Sequence, residues 1–205
     1  MQLLTRSSLI KKINSDSENS IFIDPLLDMD QIGEVSVDIR LGYDFLVSIF
    51  TRKPYVDIYN DDQEKRRGIP SYFQETRRDI GDKFILYPNQ VVLTTSLEYI
   101  ALPPNIYLDL LTRSSYNRLG IRLNTMVQPG FRGCLPVELY NHSNNAIELI
   151  VGSRMFQARL FEITDKLEYA RSQRKYYGDI RPTVSKVDKD KDLEILYNIM
   201  KIRNT

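Results

Sequence analysis

Apolar and polar residues alternate along several short stretches of the chain, the period-two pattern of half-buried β-strands. The first three stretches are 21–23, 35–41 and 45–49. Others follow polar or Pro- and Gly-containing breaks, at 84–87, 91–95, 106–111, 135–140, 146–151 and 155–163. Because no helical crossovers separate them, the pattern favours a β-sandwich or barrel over a parallel α/β sheet.

Helical spacing occurs near both ends of the chain. Residues 7–13 are apolar on one side, at Leu9, Ile10 and Ile13, with Thr5 or Ser7 available as the N-cap. After Asp190, which is placed as a cap, apolar residues recur at positions 193, 196, 197 and 200. The sequence therefore predicts a short N-terminal helix and a closing C-terminal helix.

Two other stretches suggest how the chain is divided. Residues 51–83 are charged with little strand periodicity, which predicts a long polar insertion at the surface. From residue 169 the chain is polar and rich in Lys, Arg and Tyr until the final helix. We expect a β domain over 1–168, with the insertion at about 51–83, and a C-terminal tail over 169–205.

Charge and hydropathy exclude several classes of partner. The 205 residues carry 28 Lys and Arg against 27 Asp and Glu, a net charge of +1. This leaves no general basic field for nucleic acid or membrane surfaces. Nothing approaches the ~18 consecutive apolar residues of a membrane span, and the first residues lack the apolar region of a signal peptide. We therefore expect a cytoplasmic protein.

The chain has one cysteine, Cys134, and one histidine, His142. A disulfide within the chain is impossible, and the two residues cannot form the common Cys/His zinc site. Zinc deaminases need a His/Cys/Cys or three-Cys set, so their chemistry is excluded. His142 lies in a polar turn, 141–145, and we expect it to be a surface residue rather than part of a catalytic triad.

The stretch 111–120 carries the densest candidate chemistry. Arg113 and Arg118 can contact phosphate or a carboxylate in bidentate fashion, and Ser114 and Ser115 add short donors. Their backbone N–H groups could also surround an anion. Spacing alone equally allows a turn whose arginines form ordinary surface ion pairs.

Five ordered blocks resemble motifs of the dCTP deaminases: SVDIRLG at 36–42, SLEYIALP at 96–103, RSSYNRLG at 113–120, PGFRG and VELYN within 129–141, and a tail block within 175–190. On this resemblance the chain is identified as a divergent member of the dCTP deaminase/dUTPase superfamily. The resemblance implies a mainly β protein, with a distorted β-barrel or jelly roll of the dUTPase type. It also implies a homotrimer with its sites between subunits.

The resemblance further implies zinc-independent deamination of dCTP to dUTP with release of ammonia. Glu138 would be the proton shuttle, and Ser114 and Arg118 would position Glu138 and the attacking water. Such a carboxylate needs a partly dry pocket, and strand alternation is compatible with an inward Glu138. The alternative is an exposed strand residue.

Binding of the nucleotide would use other positions of the same motifs. Arg113 and Ser115 would hold phosphate oxygens, while Lys175 and Tyr169 would approach the triphosphate from a tail that closes over the site. Mg²⁺ would be bound through the triphosphate.

Two nucleotide-binding positions depart from the family pattern. Gln128 stands where dUTPases have a water-activating Asp, at the end of a shortened loop, and an amide is a poor base. Asp179 stands where a Gln is usual, an unfavourable acid near phosphates that Arg181 could offset. Two alternatives therefore stay open, a non-catalytic nucleotide-binding or regulatory protein and a dUTPase-like pyrophosphohydrolase.

Overall fold

The computed structural model describes residues 1–52, 55–56, 58, 68–164 and 175–203. Its strands are β1 Gln2–Leu3, β2 Phe22–Asp24, β3 Val37–Arg40, β4 Asp44–Ser48, β5 Phe73–Arg77, β6 Lys83–Leu86, β7 Val91–Ala101, β8 Ile106–Thr112, β9 Ile121–Arg122, β10 Asn124–Val127, β11 Arg132–Asn141, β12 Ile147–Ile150 and β13 Arg154–Glu162. Its α-helices are α1 Arg6–Ile13, α2 Ser114–Asn117 and α3 Lys191–Arg203.

The chain divides into two compact units. The first comprises Met1–Val47 and Glu75–Thr183, and the second comprises Ser48–Gln74 and Val184–Thr205. Within the second unit, the N–H of Ile49 donates to the carbonyl of Tyr72 at 2.9 Å. The predicted boundary at 168/169 lies among residues that the structure does not describe, so it stays a prediction.

Antiparallel pairing organises the first unit. In one sheet β13 is central, with β8 on one side and both β1 and β3 on the other, and β10 pairs with the far edge of β8. A second sheet contains β4, β7, β11 and β9 as successive neighbours, and β2 pairs with the end of β7. Strands β6 and β12 form a separate pair. Among the described residues these sheets do not close into one regular barrel, which is consistent with the distorted fold that the sequence predicts.

The core follows from the alternation that the sequence displays. Val137 and Leu139 of β11 are buried while the residue between them is exposed. Phe45 and Phe84 stack with ring centroids 4.1 Å apart inside this core. The predicted mainly β class and both terminal helices are confirmed. None of the helices in the described ranges is long and apolar enough to cross a membrane.

One local prediction was wrong. Residues 51–83 are not uniformly irregular, since a 3₁₀ turn at Ile69–Tyr72 and strand β5 lie within them. The strand was missed because its side chains are largely exposed, so it lacks an apolar face and a period-two signal. At the N-terminus, Thr5 occupies the N-cap of α1, as predicted, and its side chain makes no capping hydrogen bond.

A buried carboxylate, Glu98 on β7, is satisfied mainly by donors from β3 and the loop before it. Its oxygens accept the N–H of Arg40 at 2.9 and 3.2 Å, and Nε2 of Gln31 at 3.2 Å. The same Nε2 donates to the carbonyl of Asp38 at 3.1 Å. Burial raises the pKa of Glu98 from 4.5 to about 7, although the Arg40 N–H acts in the opposite direction. Glu98 therefore fastens β3 to β7 and holds a proton that the unfolded chain releases near pH 4.5.

This raised pKa predicts a pH-dependent stability. Between pH 4.5 and about 7 the folded chain binds the proton and the unfolded chain does not, so the free energy of unfolding falls as pH rises. The shift corresponds to about 3 kcal/mol. The glutamine in Glu98→Gln cannot ionise. We therefore expect the difference in the free energy of unfolding, wild type minus Glu98→Gln, to fall by this amount between pH 4.5 and 8. Denaturant titrations at each pH measure this difference. A difference that stays constant over this range would contradict the assignment.

Candidate active site

The turn after β8 carries the arginines and serines singled out by the sequence. It contains α2, a single turn of helix in which the carbonyl of Arg113 accepts the N–H of Asn117 at 2.9 Å. The N–H of Arg118 donates to the carbonyl of Ser114 at 3.0 Å. Ser114, Ser115 and Arg118 are exposed, so their polar groups are available to a ligand.

Gly120 joins this turn to the end of β11. The N–H of His142 donates to its carbonyl at 2.9 Å, and a Cβ at position 120 would lie 3.0 Å from the backbone nitrogen of Ser143. Gly120 also has φ +98°, a region that side chains disfavour. The glycine therefore lets the turn lie against β11, and β9, which follows it, pairs with Tyr140 and Asn141.

Glu138 lies on β11 two residues before that pairing. Its neighbours Val137 and Leu139 are buried, and because strand side chains alternate, Glu138 faces away from the core and is exposed. The expectation of an inward Glu138 was wrong, and the alternative of an exposed strand residue is what the structure shows. The hydroxyl of Thr125 on β10 donates to Oε2 of Glu138 at 3.0 Å, which orients the carboxylate on this outer face.

The three residues given catalytic roles thus lie on adjoining elements rather than in mutual contact. Within the described ranges, no hydrogen bond or ion pair joins Glu138 to Ser114 or Arg118. Strand β9 links them, since it starts directly after the turn and pairs with the end of β11. All three are exposed, so each is accessible to a ligand or to another chain.

Arg113 is held more firmly than the serines that follow it. Its N–H donates to the carbonyl of Met155 at 3.0 Å, and its Nη1 donates to the carbonyl of Arg154 at 3.0 Å. Its Nε lies 3.7 Å from Oδ2 of Asp38 on β3. The guanidinium is fixed over the start of β13, and its five N–H donors leave capacity for further oxygens.

Gln128 lies in the turn between β10 and β11. It is half-buried and follows the buried Val127, and its carbonyl accepts the N–H of Phe131 at 3.2 Å. Gly130 has φ +81°, which this tight turn requires. The side chain of Gln128 is therefore carried by a defined turn.

Residues 175–183, here called the docking segment, lie against the first residues of β11. The N–H of Gly178 donates to the carbonyl of Arg132 at 2.8 Å, and the N–H of Cys134 donates to the carbonyl of Asp179 at 3.0 Å. A Cβ on Gly133 would lie 2.6 Å from that Asp179 oxygen. Only glycine at position 133 permits this close approach.

Side chains strengthen this attachment. Oδ2 of Asp179 accepts the hydroxyl of Thr183 at 3.1 Å. Nε of Arg181 lies 3.7 Å from Oδ2 of Asp44, whose side chain is only 7% exposed. Asp179 and Arg181 therefore both have structural partners in this chain. Arg181 pairs with Asp44, and a nucleotide contact of Asp179 stays a prediction.

Lys175 and Tyr169 are the remaining tail residues of the predicted site. Lys175 is half-buried in the turn that begins the docking segment. Tyr169 lies outside the described residues. Their roles at the triphosphate stay predictions.

Three contributors near the site were not recognised from sequence. Thr125 could not be found because its approach to Glu138 depends on how β10 meets β11. Asp38 and Glu98 both lie in blocks that resemble the family, but their partners come from distant strands. Alternation along β3, with Val37 buried, was the available sign that Asp38 faces outward.

Other reactive groups have ordinary roles. Burial, followed by the charge of Glu98, raises the pKa of the Cys134 thiol to about 11, so it is a poor nucleophile near neutral pH. His142 is exposed, as predicted, and its ring packs edge-on against Tyr140. Across the described ranges, no group of three or more His, Cys, Asp or Glu side chains is arranged to hold a metal ion.

A family model described as dCTP deaminase-like matches residues 3–163. The chain is 34% identical over 184 residues to the dUMP-forming dCTP deaminase of Methanobrevibacter smithii, which covers 86% of this chain and 92% of the relative. It is 29% identical over 197 residues to the dCTP deaminase of Haloarcula marismortui, which covers 93% and 97%.

Among solved structures, it is similar to the 2′-deoxycytidine 5′-triphosphate deaminase from Agrobacterium tumefaciens. The TM-score is 0.57 and the sequence identity 21%, covering 78% of this chain and 48% of that chain. The chain thus spans about half the length of that solved chain. At this identity the similarity concerns the fold, which agrees with the class predicted from sequence.

Proposed function

The chain belongs to the dCTP deaminase-like family, and from this premise we propose that it is a hydrolase that converts dCTP and water to dUTP and ammonia. The observation that carries the proposal is the position of Glu138. It is an exposed, oriented carboxylate on the strand to which the turn of Ser114 and Arg118 is fastened.

The reaction needs a group that moves protons between water, the ring and the leaving amine. Glu138 takes a proton from the water that attacks C4 of cytosine and delivers it to N3. It then takes the proton of the new C4 hydroxyl and passes it to the amino group, which leaves as ammonia while C4=O forms. Ser114 and Arg118 position the water and Glu138, and Thr125 orients the carboxylate from the other side.

The phosphates are assigned to the positively charged and hydroxyl groups next to this centre. Arg113 and Ser115 bind phosphate oxygens, and Lys175 and Tyr169 add contacts from the tail. Mg²⁺ accompanies the triphosphate and neutralises part of its charge. The single cysteine and single histidine of the chain cannot form the common Cys/His zinc site, which supports a mechanism without zinc.

Gln128 supports dUTP as the end product. A carboxylate at this position activates water in dUTPases, whereas the amide of Gln128 cannot accept a proton from water at neutral pH. The second candidate is deamination followed by pyrophosphate release, giving dUMP. Its support is the dUMP-forming dCTP deaminase of M. smithii, at 34% identity.

Incubation of the purified protein with dCTP and Mg²⁺ tests the proposal. We expect ammonia and dUTP in equal amounts, without pyrophosphate, and a loss of about 10²-fold or more in turnover for Glu138→Gln, because the amide cannot shuttle protons. Glu148→Gln, an exposed strand glutamate paired with Lys83, is the matched control and should retain activity.

Two other outcomes have distinct meanings. Pyrophosphate released in step with ammonia would favour the dUMP-forming alternative. Stabilisation by dCTP without any product would favour a non-catalytic nucleotide-binding protein.

We further propose a homotrimer in the cytoplasm, with its sites between subunits. Glu138 is exposed in the single chain, yet a proton shuttle acts best in a partly dry pocket. The outward face of the same sheet carries the apolar Val91 and Leu93, which pair with Tyr140 and Glu138 across β7 and β11. A second subunit over this face would exclude water from Glu138 and cover the apolar side chains.

Complementation between inactive variants tests the shared site. Glu138→Gln and Arg118→Ala should each be inactive alone. Co-expressed with different affinity tags and purified through both, they should regain a measurable fraction of wild-type turnover, because some interfaces combine an intact Glu138 with an intact Arg118. Doubly tagged oligomers that stay inactive would indicate that each chain supplies both residues of its own site, and sedimentation at 24.0 kDa would exclude the trimer.

A further inference from the structure

We propose that Asp38 is a positioning residue for phosphate binding, because its carboxylate orients the guanidinium of Arg113 towards the nucleotide. The proposal rests on the proposed function, which assigns Arg113 to the phosphates. The juxtaposition that carries it is the ion pair between Nε of Arg113 and Oδ2 of Asp38, 3.7 Å apart.

Asp38 and Arg113 lie on opposite sides of strand β13. Asp38 belongs to β3, which pairs with one edge of β13, and Arg113 directly follows β8, which pairs with the other edge. The Asp38 side chain is 14% exposed and that of Arg113 is 36% exposed, so this pair is better shielded from water than a typical surface pair. The Arg113 side chain must extend over β13 to reach Asp38, and this limits the conformations that the side chain can adopt.

A second contact restricts the guanidinium further. Nη1 of Arg113 donates to the carbonyl of Arg154, at the start of β13. An Nε contact and an Nη1 contact together define the plane of the guanidinium, because the group is rigid and planar. Its remaining N–H donors then have fixed directions, which lowers the entropy lost when phosphate oxygens bind.

The backbone that carries Asp38 is itself fastened. Nε2 of Gln31 donates to the Asp38 carbonyl, and the buried Glu98 accepts the N–H of Arg40, two residues further on. Asp38 is thus presented by a strand held from both sides, the arrangement that a positioning group requires.

Binding measurements separate this role from a purely structural one. The dissociation constants of dCTP and of inorganic tripolyphosphate would be measured calorimetrically for wild type, Asp38→Asn, Arg113→Ala and the double variant, with melting temperatures to confirm folding. We expect Asp38→Asn to weaken both ligands about five- to tenfold, a typical coupling between contacting charged residues. In the Arg113→Ala background it should have no further effect.

Steady-state kinetics give a second readout. For Asp38→Asn, KM for dCTP should rise while kcat stays within about twofold, because the residue acts on binding rather than on proton transfer. Asp38→Glu, which keeps the charge, should restore part of the affinity. Asp109→Asn removes a comparable pair with Arg159 on the same sheet and should change neither affinity nor KM.

The outcomes distinguish this proposal from the function on which it rests. Unchanged affinities in Asp38→Asn, or an equal loss in the presence and absence of Arg113, would overturn the positioning role. If Asp38→Asn does not fold, the dissociation constants of Asp38→Glu are compared with those of wild type, with Arg113 present and with Arg113→Ala. Unchanged affinities, or an equal loss in both cases, would again overturn the positioning role. A protein that binds dCTP but does not deaminate it would contradict the proposed function, and the binding cycle would still decide the role of Asp38.

Discussion

The alternation of side chains along β11 is the constraint on which the candidate site depends. Val137 and Leu139 fill the core, so Glu138 must face outward, where it receives a hydrogen bond from Thr125. A catalytic carboxylate on the outer face of a chain needs a cover. The proposed trimer meets this requirement, because an adjoining subunit can exclude water from Glu138, whereas the core of its own chain does not surround it.

Around this strand the chain uses glycine and buried polar contacts to hold the site elements in place. Gly120 lets the arginine-serine turn approach the end of β11, and Gly133 admits the docking segment at its start. The buried Glu98 ties β3 to β7. Asp38, on β3, forms an ion pair with Arg113. Loops with exposed functional groups are thereby carried by rigid strands, as precise binding requires.

The sequence predicted most of the longer strands because period-two alternation reports burial directly, and it singled out two motifs, one with Ser114 and Arg118 and the other with Glu138. The predicted direction of Glu138 was wrong because its apolar neighbours Val137 and Leu139 fill the core, and alternation then places the side chain between them outward. Strand β5 was missed because its exposed residues lack an apolar face. The partners of Asp38, Glu98 and Arg181 depend on which distant strands become neighbours, and local patterns carry no information about that register.

The most direct test of Glu138 as the proton shuttle is a crystal structure of the Glu138→Gln protein with dCTP and Mg²⁺. We expect C4 and N3 of cytosine within hydrogen-bond reach of the side chain at position 138, with phosphate oxygens on Arg113 and Ser115. Nucleotide bound at another surface, or bound in the site with its base directed away from position 138, would contradict the assignment of Glu138 as the proton shuttle.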